Sequence, residues 1–455
     1  ISAMSLANIF YSFYFDYLIS IQSYVTVLIS SLLIGFTLLL LGKKSYDSIN
    51  IYEQIFLIFL IYFFISFLIQ IPIYYSGYNI SFIDSYFESI SGLTGTGFTI
   101  FDQVKNLDPP LLLWRSSSQW IGGFYFLIFL ILIFSNKQIN YKFVDFSFNL
   151  EKKINFSPNL KSVTTRIFFI YTFLTILIFT AFTISGIRLF DSLSLSMTII
   201  SSGGFLPTDS LNDIIRNNFQ MVILCFAFLL SILNFYFAYN LIIKRNNLKE
   251  HKEDLYLILT IILFTIIFYL INDLDLLTVF TTVLSSVGTS GISIESVPDN
   301  FSLYFIILTL IGGSVLSTTS GIKFIRIYIL TKAFLMELYR LVQPNIVLNN
   351  KIMLSQKKID NENIKMSFLV FILFFLSLFI LSSLLLIDIL DFENSFKLSI
   401  LTLTNTVSSN IYGIEKIQFS DLLISSKISL IIFMVIAKVE LISIFLLIQK
   451  FFFKN

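Results

Sequence analysis

Four short runs rich in glycine, serine and threonine interrupt the apolar segments of this 455-residue chain. Glycine permits left-handed backbone, so consecutive carbonyl oxygens can turn toward a common axis without a Cβ clash. In ion pores, rings of such oxygens replace the hydration shell of a cation. The runs therefore indicate cation coordination by backbone carbonyls. The candidate residues are Thr94, Gly95, Thr96 and Gly97; Ser201, Ser202, Gly203 and Gly204; Gly288, Thr289, Ser290 and Gly291; and Thr406, Val407 and Ser408.

The first two runs repeat in register. Asp84-Ser85 precedes Gly97-Phe98 by the same spacing that separates Asp191-Ser192 from Gly204-Phe205. Internal repetition of this kind indicates a repeated supersecondary unit. Four unrelated surface turns, the alternative, would not be expected to keep this spacing.

Long apolar segments must position the runs. The chain is 56% hydrophobic and 13% charged, with a mean hydropathy of +0.86. Several segments exceed the roughly 20 residues that span a bilayer, which predicts a polytopic membrane protein. Residues 5–19 are predicted as part of one helix, and spans are predicted at 21–41, 53–75, 111–134, 167–187, 218–243, 255–272, 302–335, 367–390 and 422–449.

A shorter segment precedes each run, at 82–91, 190–200, 276–287 and 394–404. Helices of this length rise about 15–21 Å, too little to cross a hydrocarbon core of about 30 Å. We therefore expect re-entrant pore helices. Their negative C-terminal ends would face the runs and favour a cation.

The predicted fold is all-α, with four membrane–pore–membrane repeats around a pseudo-fourfold central pore and additional N-terminal helices. The predicted divisions are 1–50 for the N-terminal segments, 51–150 for repeat 1, 151–250 for repeat 2, 251–360 for repeat 3 with a broken second helix, and 361–455 for repeat 4.

The charges predict the orientation. Lys and Arg are concentrated in the linkers after residues 41, 134, 243 and 335 and at the C-terminus, which predicts that these segments are cytoplasmic. The opposite segments are acidic and would concentrate cations at an outer mouth. Their acidic residues are Asp102, Asp108, Asp209, Asp213, Asp273, Asp275, Glu295, Asp299, Asp388, Asp391 and Glu393.

Composition excludes several other classes. The formal net charge of +2 gives no indication of a nucleic-acid partner, and the single cysteine, Cys225, excludes an intrachain disulfide. The lone histidine, His251, lies among charged residues and is expected in a solvated loop, which argues against a histidine-based metal site. A membrane-embedded enzyme would need a catalytic cluster at membrane depth, whereas the aspartates lie in predicted outer loops. The chain is therefore predicted not to be an enzyme.

Two further motifs carry a resemblance to a known family. They are Leu113-Trp114-Arg115-Ser116 with Gln119 to Gly123, and Ile311 to Ser314 with Ser317 to Lys323 and Arg326. With the repeated runs, they make residues 50–450 similar to the Trk/Ktr/HKT superfamily of potassium transporters, specifically TrkH-type subunits. The resemblance implies that the second motif breaks a helix and forms an intramembrane gating loop. The gate residues would be Gly312, Gly313, Ser317, Thr318, Thr319, Ser320, Gly321 and Lys323.

The composition of that second motif independently supports a break, because clustered Gly, Ser and Thr weaken helix propensity and free backbone groups. A small-residue helix-packing face is the alternative.

Lys438 lies in the last predicted span, and an intramembrane charge is a functional candidate by default. The resemblance implies a cation at this position that projects beneath the filter and contacts the gating loop. Glu440, two residues away, is not expected on the same helix face. The alternative is a structural ion pair between Lys438 and another helix.

The fourth run departs from the family pattern. Ser408 and Asn410 stand where the family tends to have glycine, while Asn405 and Val407 keep the register. In the related plant transporters, a serine at one filter glycine accompanies sodium permeation. The resemblance therefore leaves potassium and sodium selectivity as alternatives.

The resemblance implies potassium uptake through a gated, carbonyl-lined pore in the cytoplasmic membrane, by a homodimer embedded in membrane lipid. No loop contains a nucleotide-binding fingerprint, so this chain is expected to bind no cofactor, with potassium as its substrate. Regulation is expected from a separate cytosolic nucleotide-binding subunit of the RCK type. A cation-coupled secondary solute transporter is a further alternative. It would need carboxylates near the midplane, where Glu440 is one of few candidates.

Overall fold

The computed structural model of the chain describes residues 1–17, 21–43, 51–135, 160–235, 237, 252–272, 274–294, 301–343, 359, 361–388, 391–414, 417–440, 443 and 450. Most of the predicted basic linker residues lie outside this set, as do His251, Asp273, Glu295 and Asp299. The predicted divisions at residues 50, 150, 250 and 360 also fall outside it, and all four stay predictions.

The described residues form helices joined by turns and short loops. Their bounds are α1 Ser2–Tyr14, α2 Ile21–Gly42, α3 Ile51–Tyr74, α4 Phe82–Thr94, α5 Pro109–Ser135, α6 Leu160–Ile184, α7 Leu189–Ile200, α8 Asn218–Ile232, α9 Lys252–Ile271, α10 Leu276–Val287, α11 Ser302–Ile311, α12 Phe324–Val342, α13 Asn361–Leu385, α14 Phe392–Leu403 and α15 Ile424–Lys438.

Five of these helices are long and apolar enough to cross a membrane. Their outward faces expose large apolar side chains, such as Leu39 and Leu41 on α2, Phe64 on α3 and Phe169 on α6. A surface of this kind is stable against lipid tails and unstable in water. The chain is a multi-pass membrane protein.

Four helices match the predicted pore helices. α4 has 13 residues, and α7, α10 and α14 have 12 residues each. Each is buried along its C-terminal half, where serine and threonine hydroxyls donate to carbonyls three or four residues earlier. These internal hydrogen bonds satisfy polar side chains that are enclosed by the spans.

The packing of these pore helices closes a ring. Each packs against the second span of the preceding repeat: α7 against α5, α10 against α8, α14 against α11, and α4 against α15. The last contact joins repeat 4 to repeat 1, so the four repeats surround one axis in the order 1-2-3-4. The predicted pseudo-fourfold all-α fold is confirmed.

Two helices, α8 and α15, end about three turns earlier than predicted. α8 ends at Ile232, not near residue 243, because the Ile232 carbonyl accepts from Ser314 N at 3.0 Å and Phe235 N donates to Leu316 O at 2.8 Å. α15 ends at Lys438, and Glu440 two residues later has a left-handed φ of 59°. The predicted break in the second helix of repeat 3 is confirmed, since residues 312–323 separate α11 from α12.

Candidate functional site

A left-handed residue follows the C-terminal end of each pore helix, as the second residue of the first three runs and directly before Thr406 in the fourth. These residues are Gly95, Ser202, Thr289 and Asn405, with φ of 76°, 54°, 53° and 47°. In every repeat the amide of this residue donates to the carbonyl three residues earlier, and the next amide donates to the carbonyl five residues earlier. This shared pattern fixes the register of the four runs without reference to residue type.

The register aligns Gly97, Gly204, Gly291 and Val407, each two residues after the left-handed position. Gly97 and Gly291 are themselves left-handed, at φ of 82° and 67°. The expectation that Ser408 stands in place of a glycine is wrong by one residue. Ser408 aligns with Phe98, Phe205 and Ile292, and Val407 occupies the glycine position.

Contacts between neighbouring runs follow the order of the ring. A Cβ added to Gly97 would lie 2.8 Å from the Gly204 Cα, and one added to Gly204 would lie 3.2 Å from the Ser290 carbonyl oxygen. A Cβ on Gly291 would lie 2.8 Å from the Thr406 Cγ2. Asn405 Nδ2 closes the ring by donating to Thr96 Oγ1 at 2.9 Å. The candidate residues of the four runs thus converge on one axis.

A buried ion pair supports the first run from behind. Arg115 Nε donates to Glu88 Oε1 at 2.8 Å, with side-chain exposures of 2% and 0%. Glu88 Oε2 accepts from Ile100 N at 2.9 Å, and Thr99 Oγ1 bonds both Glu88 and Arg115. The Arg115 guanidinium also lies 4.1 Å from the centre of the Phe205 ring in the second run. This pair therefore fixes the chain that leaves the first run.

A glutamine supports the second run. Gln119 Oε1 accepts from Phe205 N at 3.2 Å, and a Cβ on Gly203 would lie 2.3 Å from the same oxygen. Gly203 is therefore needed for this approach, which pairs the backbone amide after the run with the Gln119 side chain.

The segment 312–323 folds into a compact loop between α11 and α12. Gly312 and Gly321, at φ of 62° and 83°, cross so closely that added Cβ atoms would lie 2.4 Å from the Ser320 oxygen and 2.8 Å from the Thr309 oxygen. Lys323, 2% exposed and at a φ of 78°, points its ammonium group back into the loop. There it donates to the carbonyls of Ser314, Ser317 and Thr319.

This loop contacts the inner ends of two runs. Thr318 Oγ1 shares a hydrogen bond with Ser202 Oγ at 2.9 Å and donates to Ile200 O at 2.9 Å. Ser320 N donates to Thr289 Oγ1 at 3.1 Å. The loop is thus bonded to the left-handed residues of the second and third runs.

Lys438 reaches the same loop from α15. Its ammonium donates to Thr318 O at 3.3 Å and Ser320 Oγ at 3.2 Å, and lies 4.5 Å from the centre of the Phe126 ring. It also lies 3.7 Å from where a Cβ on Gly95 would stand. Lys438 is therefore beneath the first run and against the loop.

Comparison with known proteins identifies the family. The TrkH family model, described as a cation transport protein, matches residues 57–284, half of the chain. The chain belongs to the TrkH family.

Individual relatives agree with this assignment. An uncharacterized cation transporter of Methanocaldococcus jannaschii is 28% identical over 69% of the chain and 66% of its own length. Trk system potassium uptake proteins TrkH are 27% identical in Halomonas elongata, over 59% of both chains, and 28% identical in Escherichia coli K12, over 60% of both chains. The alignments thus span about three fifths to two thirds of these relatives.

A solved structure extends the likeness to the whole fold. The crystal structure of the potassium transporter TrkH from Vibrio parahaemolyticus superposes with a TM-score of 0.86, covering 99% of this chain and 96% of that chain at 22% identity. The two proteins have the same fold.

The ion pair at the end of α15 does not include Lys438, the residue for which a structural ion pair was the predicted alternative. Arg326 Nη2 donates to Glu440 Oε2 at 2.8 Å. Among the residues that the structure describes, no carboxylate pairs with Lys438. Lys438 is the final residue of the described helix α15. Glu440 lies beyond that helix end, so the helix-face argument does not apply to it.

Sequence reasoning missed several supporting residues of this TrkH-family site. Glu88 is the second of two carboxylates in the predicted pore helix 82–91, and its place in the half that leads into the run was the available signal. Glu253 and Asp254 begin α9, where Glu253 Oε1 accepts from Val315 N at 3.0 Å and Asp254 Oδ1 from Asn234 N at 2.9 Å. These buried carboxylates hold the loop 312–323 and the end of α8, and two adjacent acids before an apolar span are their signal.

Proposed function

We propose that this chain takes up potassium through a gated pore at the axis of the four repeats. The observation that carries this proposal is the ring of four runs in common register, each at the C-terminal end of a buried pore helix. The negative ends of four helix dipoles meet there and favour a cation. Carbonyl oxygens of Thr94 to Gly97 and their counterparts would replace the water around the ion. The names of the TrkH relatives support potassium as the substrate.

The loop 312–323 would act as the gate. It bonds to the inner ends of the second and third runs and lies against Lys438, so an ion that leaves the filter inward would meet it. A protonated Lys438 would oppose the passage of cations, and movement of the loop would change this barrier. Inward flux therefore requires that the loop release its contacts.

The fourth run favours a second candidate, a weakly selective or sodium-permeable pathway of the same fold. Val407 occupies a glycine position, so the fourth quarter of the ring cannot adopt the same backbone as the first at that level without strain. A less regular ring of oxygens discriminates less sharply between potassium and sodium.

The likeness to the Trk system also supports the proposed assembly and location. The protein would function as a homodimer in the cytoplasmic membrane, with its basic linkers in the cytoplasm. A cytosolic nucleotide-binding subunit would regulate the gate, while the chain itself binds no cofactor.

Uptake tests this function. The full chain should restore growth at low potassium to a bacterium that lacks its own uptake systems, and it should carry rubidium in direct assays. Competition by sodium distinguishes the selective pore from the weakly selective one. Normal amounts of protein in the membrane, without uptake of rubidium or sodium, would contradict both candidates.

Replacement of Lys438 tests the gate. Lys438→Ala should raise basal rubidium flux, by on the order of tenfold if it removes a barrier of about 1.4 kcal/mol. Lys365→Ala is the matched control, because Lys365 is an exposed lysine on the span α13. Equal flux in both variants would assign Lys438 a structural role.

A further inference from the structure

Val407 is the side chain that breaks the symmetry of the ring. At its level the other three runs have Gly97, Gly204 and Gly291, which leave the axis free of side-chain atoms. Neighbouring runs contact one another in the order 1-2-3-4, so the second run stands opposite the fourth. A side chain that reaches from Val407 to Gly204 must therefore cross the centre.

The distances show that it does reach Gly204. A Cβ added to Gly204 would lie 2.6 Å from the Val407 Cβ and 3.2 Å from the Val407 Cγ1. A Cβ added to Gly291 would lie 3.0 Å from the same Cγ1. The isopropyl group thus fills the space between two opposite backbones, where a cation would have to pass between oxygens.

The side chain is also poorly suited to swing aside. Valine is β-branched and has few accessible χ1 rotamers. Methyl groups offer an ion no oxygen to replace its water, and apolar constrictions in channels oppose conduction by excluding water. The constriction lies within the ring itself, so it is separate from the loop 312–323.

We propose that Val407 forms an apolar constriction across the cation path and limits its rate. This inference rests on the proposed function, since it assumes that ions travel along the axis of the ring. It goes beyond that function by assigning a rate-limiting element to one side chain of the fourth repeat. Conduction then requires the fourth run to move away from the second.

The experiment compares rubidium uptake into proteoliposomes that contain equal amounts of the full-length protein. Val407→Gly should raise the initial rate by about tenfold, the change that follows loss of a barrier of about 1.4 kcal/mol. Val407→Ala should give a smaller increase, and Val407→Ile a decrease. Val222→Ala is the matched control, because Val222 is 50% exposed on the outer face of α8 and should leave the rate unchanged.

The possible results separate the constriction from the pore. A rubidium uptake rate that rises in the order Ile, Val, Ala, Gly at position 407 supports the proposal. This holds also where the unsubstituted protein takes up almost no rubidium. If the unsubstituted protein takes up rubidium and Val407→Ala or Val407→Gly gives an equal or lower rate, the constriction is overturned and the pore is kept. A larger increase with Ser408→Gly than with Val407→Gly overturns the register on which the proposal depends. Silence of all variants, with folding confirmed by size-exclusion chromatography, overturns the proposed function and the constriction together.

Discussion

The first and fourth runs occupy neighbouring places in the ring, yet they share only the first of two left-handed positions. The first run uses glycine at both special positions, Gly95 and Gly97, with φ of 76° and 82°. The fourth has Asn405 at the first position, with φ of 47°, and Val407 at the second. Asparagine tolerates left-handed backbone at little cost, whereas a β-branched residue adopts it only with strain, as Thr289 does in the third run. The fourth run therefore keeps the first turn of the motif and loses the second.

The supports of the two runs differ in the same way. Behind the first run lies the buried Glu88–Arg115 pair, which bonds the chain after the run. The fourth run is held from within by Asn405, whose amide donates to Thr96 Oγ1 at 2.9 Å and to Met434 O at 3.0 Å. Glycine has no side chain that could form such bonds, so the first run needs support from residues outside it. In the fourth run, the Asn405 side chain supplies this support from within.

The largest effect should come from placing in the first run the valine that the fourth run has at the aligned position. In Gly97→Val the new Cβ would lie 2.8 Å from the Gly204 Cα, at a φ of 82° that strains valine. Strain and overpacking of about 1–3 kcal/mol each should act together. We expect no rubidium uptake and little folded protein in fluorescence-detected size-exclusion chromatography.

Gly77→Val is the matched control for Gly97→Val. Gly77 has the same φ of 82° but nothing within 4 Å of its added Cβ. The control carries the backbone strain without the collision and should keep measurable uptake. Uptake by Gly97→Val at the level of this control would show that the first run can accommodate a valine as the fourth does.

Loss of the external support should have the next largest effect. Glu88→Gln leaves the Arg115 charge buried and unpaired, and breaking a buried pair in this way costs about 3–5 kcal/mol. Thermal unfolding in detergent should show a clear loss of stability. Glu337→Gln is the control, since Glu337 pairs with Arg340 at 2.7 Å on an exposed helix face and such pairs contribute at most about 1 kcal/mol. Equal shifts in the two variants would argue against a special role for the buried pair.

The spans, the pore helices and the four repeats were predictable because hydropathy and segment length depend on residues close together in the chain. The alignment of the fourth run was not predictable from residue type, because the left-handed residue Asn405 sets the register and only the backbone identifies it. The early end of α8 could also not be predicted from the sequence. Its apolar sequence continues, and the Ser314 amide that binds the Ile232 carbonyl comes from the loop of the next repeat.

The smallest effect should come from the internal support of the fourth run. Asn405→Gly keeps the left-handed turn but removes the bonds to Thr96 and Met434, which contribute about 1 kcal/mol each. Asn405→Ala removes the same bonds and adds the strain of an alanine at positive φ, so it should be less stable than Asn405→Gly. Asn79→Gly is the control, because Asn79 is exposed in a loop at a similar φ of 53° and should change little. If the Gly variant matches this control and the Ala variant does not, Asn405 serves only the turn, and the fourth run has no internal support of its own.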